Sequence, residues 1–132
     1  VIQKLHQEKD MSAKEVKKLA EMATMQRRLR LLAEAAAIFF SVPLEQLRSP
    51  SKQPLYAWPR MVCQAIAVTR YKQPDVARYW RRDRSSMRYS LIRVKARMET
   101  EPAIKKEVDT FVTFVSRYIK KEEKDGGRFG KH

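Results

Sequence analysis

The stretch that decides the fold is residues 74–98, PDVARYWRRDRSSMRYSLIRVKARM. Pro74 is typical of a helix start and predicts a short helix to about Trp80, followed by a tight polar turn at 81–83. From about residue 85 to residue 98, apolar side chains recur at 87, 91, 94 and 98, the spacing of a helix with one buried face. A short helix, a tight turn and a longer helix are the parts of a helix-turn-helix, which we predict over 74–98.

The rest of the chain also has helical spacing, and no segment alternates with period two for long enough to predict a strand. The first of these helices is predicted to run to about Phe40. A helix of that length either contains a break or extends beyond the core, and the sequence leaves both open. We predict an all-α fold of about six helices. The predicted helices outside the motif begin at Ser12, Pro43, Pro59 and Pro102.

A length of 132 residues suits one domain. We expect a flexible N-terminus at 1–11, a single helical domain at 12–121 and a flexible tail at 122–132. The pair Gly126-Gly127 predicts the end of ordered structure in that tail.

The charge of the chain points to a polyanionic partner. It has 29 Lys and Arg against 15 Asp and Glu, a net charge of +14. Residues 48–98 contain 13 basic and two acidic residues, so this block carries +11. Nucleic acid is the first candidate and an anionic membrane surface the second. No apolar run approaches the ~18 residues of a membrane span, and the basic residues are divided among short helices, so we expect no membrane partner.

Within the motif, the side chains divide into a predicted core and a predicted contact surface. Val76, Trp80, Met87 and Leu91 are expected to be buried, and the small Ala77 suits the crossing of the two helices. The first turn of a recognition helix meets base edges, and its outer face meets phosphates. The residues expected near the start and on the outer face of the second helix are Arg84, Ser85, Ser86, Arg88, Tyr89, Arg93 and Arg97.

Three motifs, within residues 31–115, resemble the C-terminal DNA-binding domain of the bacterial replication initiator DnaA. Residues 40–49, FSVPLEQLRS, resemble that family's pattern aromatic-G-V-S-P-E-D-L-R-S. Pro59-Arg60 is similar to the Pro-Arg pair at the start of its third helix. Residues 74–86, PDVARYWRRDRSS, match the signature P-E-I-G-R-A-F-G-R-D-H-T-T without a gap. The resemblance implies a helix-turn-helix fold of the DnaA C-terminal, Trp-repressor-like kind.

The resemblance also implies roles for single residues. It places residues 83–86 in the major groove, Arg60 on backbone and base near the third helix, and a loop cation, here Lys52, in the minor groove. A solvated loop lysine is an equally good interpretation of Lys52. The resemblance and the helical spacing of the motif together give the predicted base contacts, which are Asp83, Arg84, Ser85, Ser86 and Tyr89. The predicted backbone or minor-groove contacts are Lys52, Arg60, Arg78, Arg81, Arg82, Arg88 and Arg93.

The departures from the family pattern predict an altered base preference. Arg84 stands where the family has His, and an Arg in the groove favours the guanine edge. Ser85 and Ser86 stand where the family has Thr, so two methyl groups that could touch thymine are missing. Arg81 replaces a turn Gly. The chain contains no phosphate-binding loop motif, so we expect a free-standing DNA-binding domain without an ATPase domain.

We expect no enzyme and no cofactor or metal. His6 and His132 lack neighbouring ligands at metal spacing, and the single cysteine, Cys63, is expected to be a buried thiol in a reducing compartment. Trp58 is expected in the core rather than stacked on a base. The leading hypothesis is a bacterial or phage double-stranded DNA-binding protein, cytoplasmic and nucleoid-associated, that regulates transcription or replication initiation.

Two alternatives remain open. The first is a protein-interaction adaptor of the replication machinery, in which the stripes on 16–39 and 104–118 pair between chains as a homodimer or engage a replication protein. The second is a chromosome-binding protein without sequence preference. The first alternative explains the +11 block poorly, because it gives that charge no partner.

Overall fold

In the computed structural model, every regular element within the described residues, 11–129, is an α-helix, and side chains are described as far as Asp125. This confirms the predicted all-α fold of six helices. All six contribute side chains to one hydrophobic core. The helices are α1 (Ala13–Phe39), α2 (Leu44–Leu47), α3 (Pro54–Val68), α4 (Gln73–Trp80), α5 (Arg84–Thr100) and α6 (Pro102–Phe129). Residues 1–10 of the expected N-terminus at 1–11 lie outside the described part of the chain.

The first helix is continuous and longer than the core that it packs against. The Ser12 hydroxyl accepts a 3.1 Å hydrogen bond from the Glu15 amide and so caps the start of α1. The helix then runs without a break to Phe39. Its buried residues begin only at Leu29. The first half of α1 therefore extends past the core.

α6 packs along the second half of α1 in antiparallel orientation. Arg28 pairs with Glu123 at 3.0 Å, and the Tyr118 hydroxyl donates to Glu34 at 3.2 Å, so residue numbers rise along α1 as they fall along α6. The apolar stripe at 104–118 packs into the core of its own chain.

α3 begins at Pro54, so the predicted start at Pro59 was wrong. Pro54 is at the first helical position, where the missing amide is not needed. The Ala57 amide already donates to the Gln53 carbonyl at 2.8 Å, which closes the first turn. Pro59 lies in the second turn and removes only one hydrogen bond from the helix. The packing of Trp58 against the core favours the longer helix.

α4 and α5 form the predicted helix-turn-helix. Val76, Ala77, Trp80 and Met87 are buried, as the sequence predicted, and Leu91 is partly buried against the same core. α5 packs most extensively on α3, which also contacts α1, α2 and α4. The core thus holds the back of α5 and leaves the opposite face to solvent.

Two turns require a left-handed backbone at residues that are not glycine. Arg81, which ends α4, has φ 55° and ψ 48°. The Arg81 amide donates to the Arg78 carbonyl at 3.3 Å, and the Arg82 amide donates to the Ala77 carbonyl at 2.9 Å, which is a Schellman motif. Ser41 ends α1 with the same φ of 55°. This conformation costs a residue with a Cβ roughly 1–2 kcal/mol, so glycine is the usual occupant.

α6 continues through Gly126 and Gly127 to Phe129, so the prediction that order ends at these glycines was wrong. A glycine lowers helix stability by about 1 kcal/mol relative to alanine but keeps its amide, so the hydrogen-bond ladder can continue. Glu123 lies within the expected tail at 122–132, yet it is held against Arg28 of α1. Residues 130–132 lie outside the described range.

Candidate nucleic-acid interface

The start of α5 is exposed to solvent. Asp83 is the N-cap residue by backbone conformation, with φ −72° and ψ 157°, and Arg84 and Ser85 follow it on the surface. In the described structure the Asp83 carboxylate makes no capping hydrogen bond. The first amides of α5 therefore lack a side-chain acceptor, and they add partial positive charge to that of Arg84.

The structure brings three predicted segments together around one cleft, here called the α3–α5 cleft. Lys52 comes from the α2–α3 loop, Arg82 from the turn, and Ser85, Ser86 and Tyr89 from the first two turns of α5. The cleft is open and has a volume of about 870 Å³. Tyr89 is 61% exposed at its edge. The loop, the turn and the start of α5 therefore line one cleft.

Arg60, a predicted DNA contact, lines the α3–α5 cleft but is held by hydrogen bonds within the fold. It is only 5% exposed. Its Nε donates to the Leu47 carbonyl at 2.7 Å, and its two terminal nitrogens donate to Ser51 at 2.8 Å and to Gln46 at 3.3 Å. Desolvation, with a smaller effect from nearby Arg82, lowers the pKa of Arg60 to about 10, which still leaves it charged at neutral pH. Arg60 fixes the α2–α3 loop instead of facing solvent.

Two more arginines fasten the same loop to the helix-turn-helix. Arg82 donates to the Ser49 carbonyl at 2.8 Å. Arg48 donates to the Tyr79 carbonyl at 2.8 Å, and its guanidinium lies 4.4 Å from the centre of the Tyr79 ring. The sequence did not assign Arg48 a role. These contacts set the position of Lys52 relative to α5, because they hold the loop that carries it.

The other predicted phosphate contacts lie on the surface. Arg81, Arg88 and Arg93 are exposed, and the structure does not bring them into the α3–α5 cleft. Arg78 is also exposed and lies 3.6 Å from Asp75 on the same helix. An exposed pair at this distance contributes little energy, so the Arg78 guanidinium stays available to another anion.

A buried polar pair beneath the cleft was missed by the sequence analysis. The Ser90 hydroxyl donates to the side-chain carbonyl of Gln64 at 2.7 Å, joining α5 to α3. The Gln64 side-chain nitrogen has no hydrogen-bond partner among the described residues. Gln64 lies between Cys63 and Ala65 on the apolar face of α3, and a lone glutamine at such a position was the available signal.

Trp58 is held within the fold, in agreement with the interpretation favoured from sequence. It packs against the core, and its indole nitrogen donates to Glu107 at 2.9 Å. Arg97, expected on the outer face of α5, instead lies 4.3 Å from the Trp58 ring centre and pairs with Glu101 at 2.8 Å. Neither side chain is presented to a ligand at the α3–α5 cleft.

The described residues were also compared with the requirements of a metal site and of a membrane span. They contain no group of three or more His, Cys, Asp or Glu side chains that could hold a metal ion. Cys63 is buried, as expected, and burial raises the pKa of its thiol. Within residues 11–129, no helix is both long and apolar enough to span a membrane.

The surface around the α3–α5 cleft is thus basic, with hydroxyl groups and one exposed tyrosine. Lys52 of the loop is its exposed cation, Arg82 of the turn is half-buried, and the exposed Arg84 precedes the lining residue Ser85 in the first turn of α5. No protein-family model matches this chain, and no curated protein matches it.

Proposed function

We propose that this protein binds double-stranded DNA through the α4–α5 helix-turn-helix and thereby regulates transcription or replication initiation. Residues 83–89 read base edges in the major groove, and the surrounding cations anchor the phosphate backbone. The observation that carries the proposal is the exposed first turn of α5, with Arg84 and free amides, beside a loop cation and the exposed Tyr89. DNA binding also accounts for the +11 charge of residues 48–98.

The backbone of two turns supports the resemblance to the DnaA C-terminal domain. The family pattern has glycine at three positions, of which Ala77 lies within α4 and the other two, Ser41 and Arg81, lie at helix ends. These two are also the residues with positive φ, both at 55°, among the described non-glycine positions. A glycine in a pattern is explained by a left-handed turn, so the turn geometry agrees with the motif at two independent places.

The phosphate-contacting and the base-contacting residues contribute differently to binding. Phosphate contacts supply affinity and position the protein, and base contacts supply sequence preference. Arg84 is the residue we assign to guanine, since its planar fork matches the two acceptors of the guanine edge. Arg78, Arg81, Arg88 and Arg93 are assigned to phosphates. Inside the cell, the protein would be associated with the nucleoid.

One observation favours the adaptor alternative as a second candidate. Val16 and Leu19 are 53% and 52% exposed, and Met22 is 37% exposed, all on the half of α1 that extends past the core. Exposed apolar side chains at helical spacing are a common feature of surfaces that contact other proteins. This surface is separate from the α3–α5 cleft, so it is compatible with DNA binding.

Selection from a random-sequence duplex library at two salt concentrations tests the proposal. A defined motif supports a sequence-specific regulator, and its similarity to the initiator's box tells whether the two compete. Salt-sensitive binding without a motif favours the chromosome-binding alternative. Absence of binding at low salt overturns DNA binding and leaves the adaptor as the leading candidate.

A further inference from the structure

A second basic cleft lies between α1 and α4, and here it is called the α1–α4 cleft. Arg27 and Arg30 of α1 line one side, and Asp75, Arg78 and Tyr79 of α4 line the other. The cleft is open to solvent and has a volume of about 550 Å³. Arg27 and Arg30 are exposed and lie three residues apart, so they share one face of α1.

The arginines of this cleft exceed the acids that could neutralise them. Three Arg face one Asp among its lining residues. Arg78 lies 3.6 Å from Asp75, and Arg30 lies 3.7 Å from Glu34, so each pair is joined by one long contact. A guanidinium has five N–H donors, and these pairs leave most of them free. An anion with several acceptor oxygens would fit these unused donors.

The α1–α4 cleft is connected through Tyr79 of α4 to Arg48, the residue that follows α2. One side of Tyr79 lines the cleft, and Arg48 lies over its ring at 4.4 Å. Arg48 is followed by Ser49, whose carbonyl accepts from Arg82 at 2.8 Å. The contacts therefore connect the α1 arginines, through α4 and the loop, to the α3–α5 cleft. In a helix-turn-helix, the first helix crosses the DNA backbone, and here that helix is α4.

We infer that Arg27 and Arg30 bind backbone phosphates of duplex DNA outside the base pairs that α5 reads. The inference rests on the proposed function and extends the contact surface from the helix-turn-helix onto α1. Arginine suits this role because its planar fork can donate two parallel hydrogen bonds to a phosphate. The contact carries no base preference, so it lengthens the bound segment of DNA without changing the motif.

The test compares two duplexes, one trimmed to the selected motif and one extended by about one helical turn at each end. The variant carries Arg27→Gln and Arg30→Gln. The matched control carries Lys106→Gln and Lys121→Gln, which removes the same charge from exposed positions on α6. A third variant, Arg27→Lys with Arg30→Lys, retains the charge. Thermal unfolding confirms that each variant is folded, which is expected because all four positions are exposed.

For the wild type, the extended duplex should bind more tightly and with a steeper salt dependence than the trimmed one. The Gln variant should lose this advantage, and its slope of log affinity against log salt on the extended duplex should fall by about two. The α6 control should still bind the extended duplex more tightly than the trimmed one. The Lys variant should keep the wild-type slope of log affinity against log salt. The selected motif should be the same for all.

Two outcomes overturn the inference while the proposed function stands. In the first, wild type binds both duplexes equally. In the second, the Gln variant and the α6 control weaken binding to the same extent, so only net charge matters. If the wild type binds neither duplex at low salt, the proposed function itself has failed.

Discussion

The Ser90 hydroxyl of α5 donates a 2.7 Å hydrogen bond to the side-chain carbonyl of Gln64 on α3, and both side chains are buried beneath the α3–α5 cleft. This is a buried polar contact between two helices that also bury apolar side chains such as Val62 and Met87. Ser90 lies on the buried face of α5 with Met87 and Val94, so the hydrogen bond and the apolar packing favour the same rotation of α5 about its axis. The side chains that α5 presents to solvent depend on that rotation.

Ser90→Ala should lower the free energy of unfolding by about 1–3 kcal/mol, because the Gln64 carbonyl is left buried without a donor. Adding Gln64→Met to Ser90→Ala should restore part of the loss, since both polar partners are then removed. Urea unfolding measures both changes, with the exposed Ser116→Ala as control. If the double variant is less stable than Ser90→Ala alone, the pair does not act as described.

Arg60→Lys should lower the free energy of unfolding by roughly 2 kcal/mol, because an ammonium cannot reproduce the guanidinium fork that meets three carbonyls. Amide exchange should accelerate at residues 48–53, since the loop loses its anchor. Exposed Lys52→Arg serves as the control. Unchanged exchange in the loop would show that Arg60 is not what holds it.

Arg84→Ala should relax base preference at one base pair, with a cost of roughly 1–3 kcal/mol on the preferred duplex and less on random DNA. Arg88→Ala provides the contrast, because a phosphate contact should weaken binding equally on all sequences and lower the salt slope by about one. Binding isotherms on specific and random duplexes measure both. An equal loss on both duplexes for Arg84→Ala contradicts its role in base reading.

Arg81→Gly should raise the free energy of unfolding by about 1 kcal/mol, because glycine adopts the left-handed turn without a Cβ clash. The same change should weaken DNA binding and lower the salt slope by about one, since it removes a predicted phosphate contact. Opposite signs for stability and affinity are the expected result. A loss of stability would mean that Arg81 makes a stabilising contact.

The Cys63 thiol should not react with a thiol reagent near neutral pH while the protein is folded. Its residue is fully buried, its Sγ lies 3.6 Å from the Leu32 carbonyl, and burial raises its pKa above the ordinary value. Reaction should follow unfolding, so the labelling rate should rise with urea in parallel with the unfolding transition. Rapid labelling without denaturant would contradict this burial.

Structural features that depend on residues close together in the sequence were predicted correctly. The helix-turn-helix was expected at 74–98 and is found at Gln73–Thr100, because its Pro, its polar turn and its apolar spacing all act within a few residues. The errors have a different origin. The predicted helix start at Pro59 was wrong because the packing that supports Pro54–Trp58 comes from distant segments. The end of α6 was placed too early because a glycine pair weakens a helix without always ending it.

The candidate site shows the same difference between features set by neighbouring residues and features set by tertiary packing. Lys52, Arg60 and Arg82 are all cations in the sequence, and nothing in their local patterns separates a free side chain from one that holds a loop. Carbonyls of residues 46–51 surround Arg60 only after α2, α3 and their loop have packed. The burial of Arg60 therefore depends on contacts with residues 46–51, which surround it only in the folded protein.

The sequence by itself determined the helical class, the helix-turn-helix and the concentration of positive charge in residues 48–98, since these follow from residue order and spacing. Only the tertiary structure decided which cations face solvent. It buried Arg60, and it placed Arg27 and Arg30 of the mixed-charge first helix beside Arg78. The physical reason is that burial and charge proximity depend on how helices pack, and residues far apart in the chain become neighbours only in the folded protein.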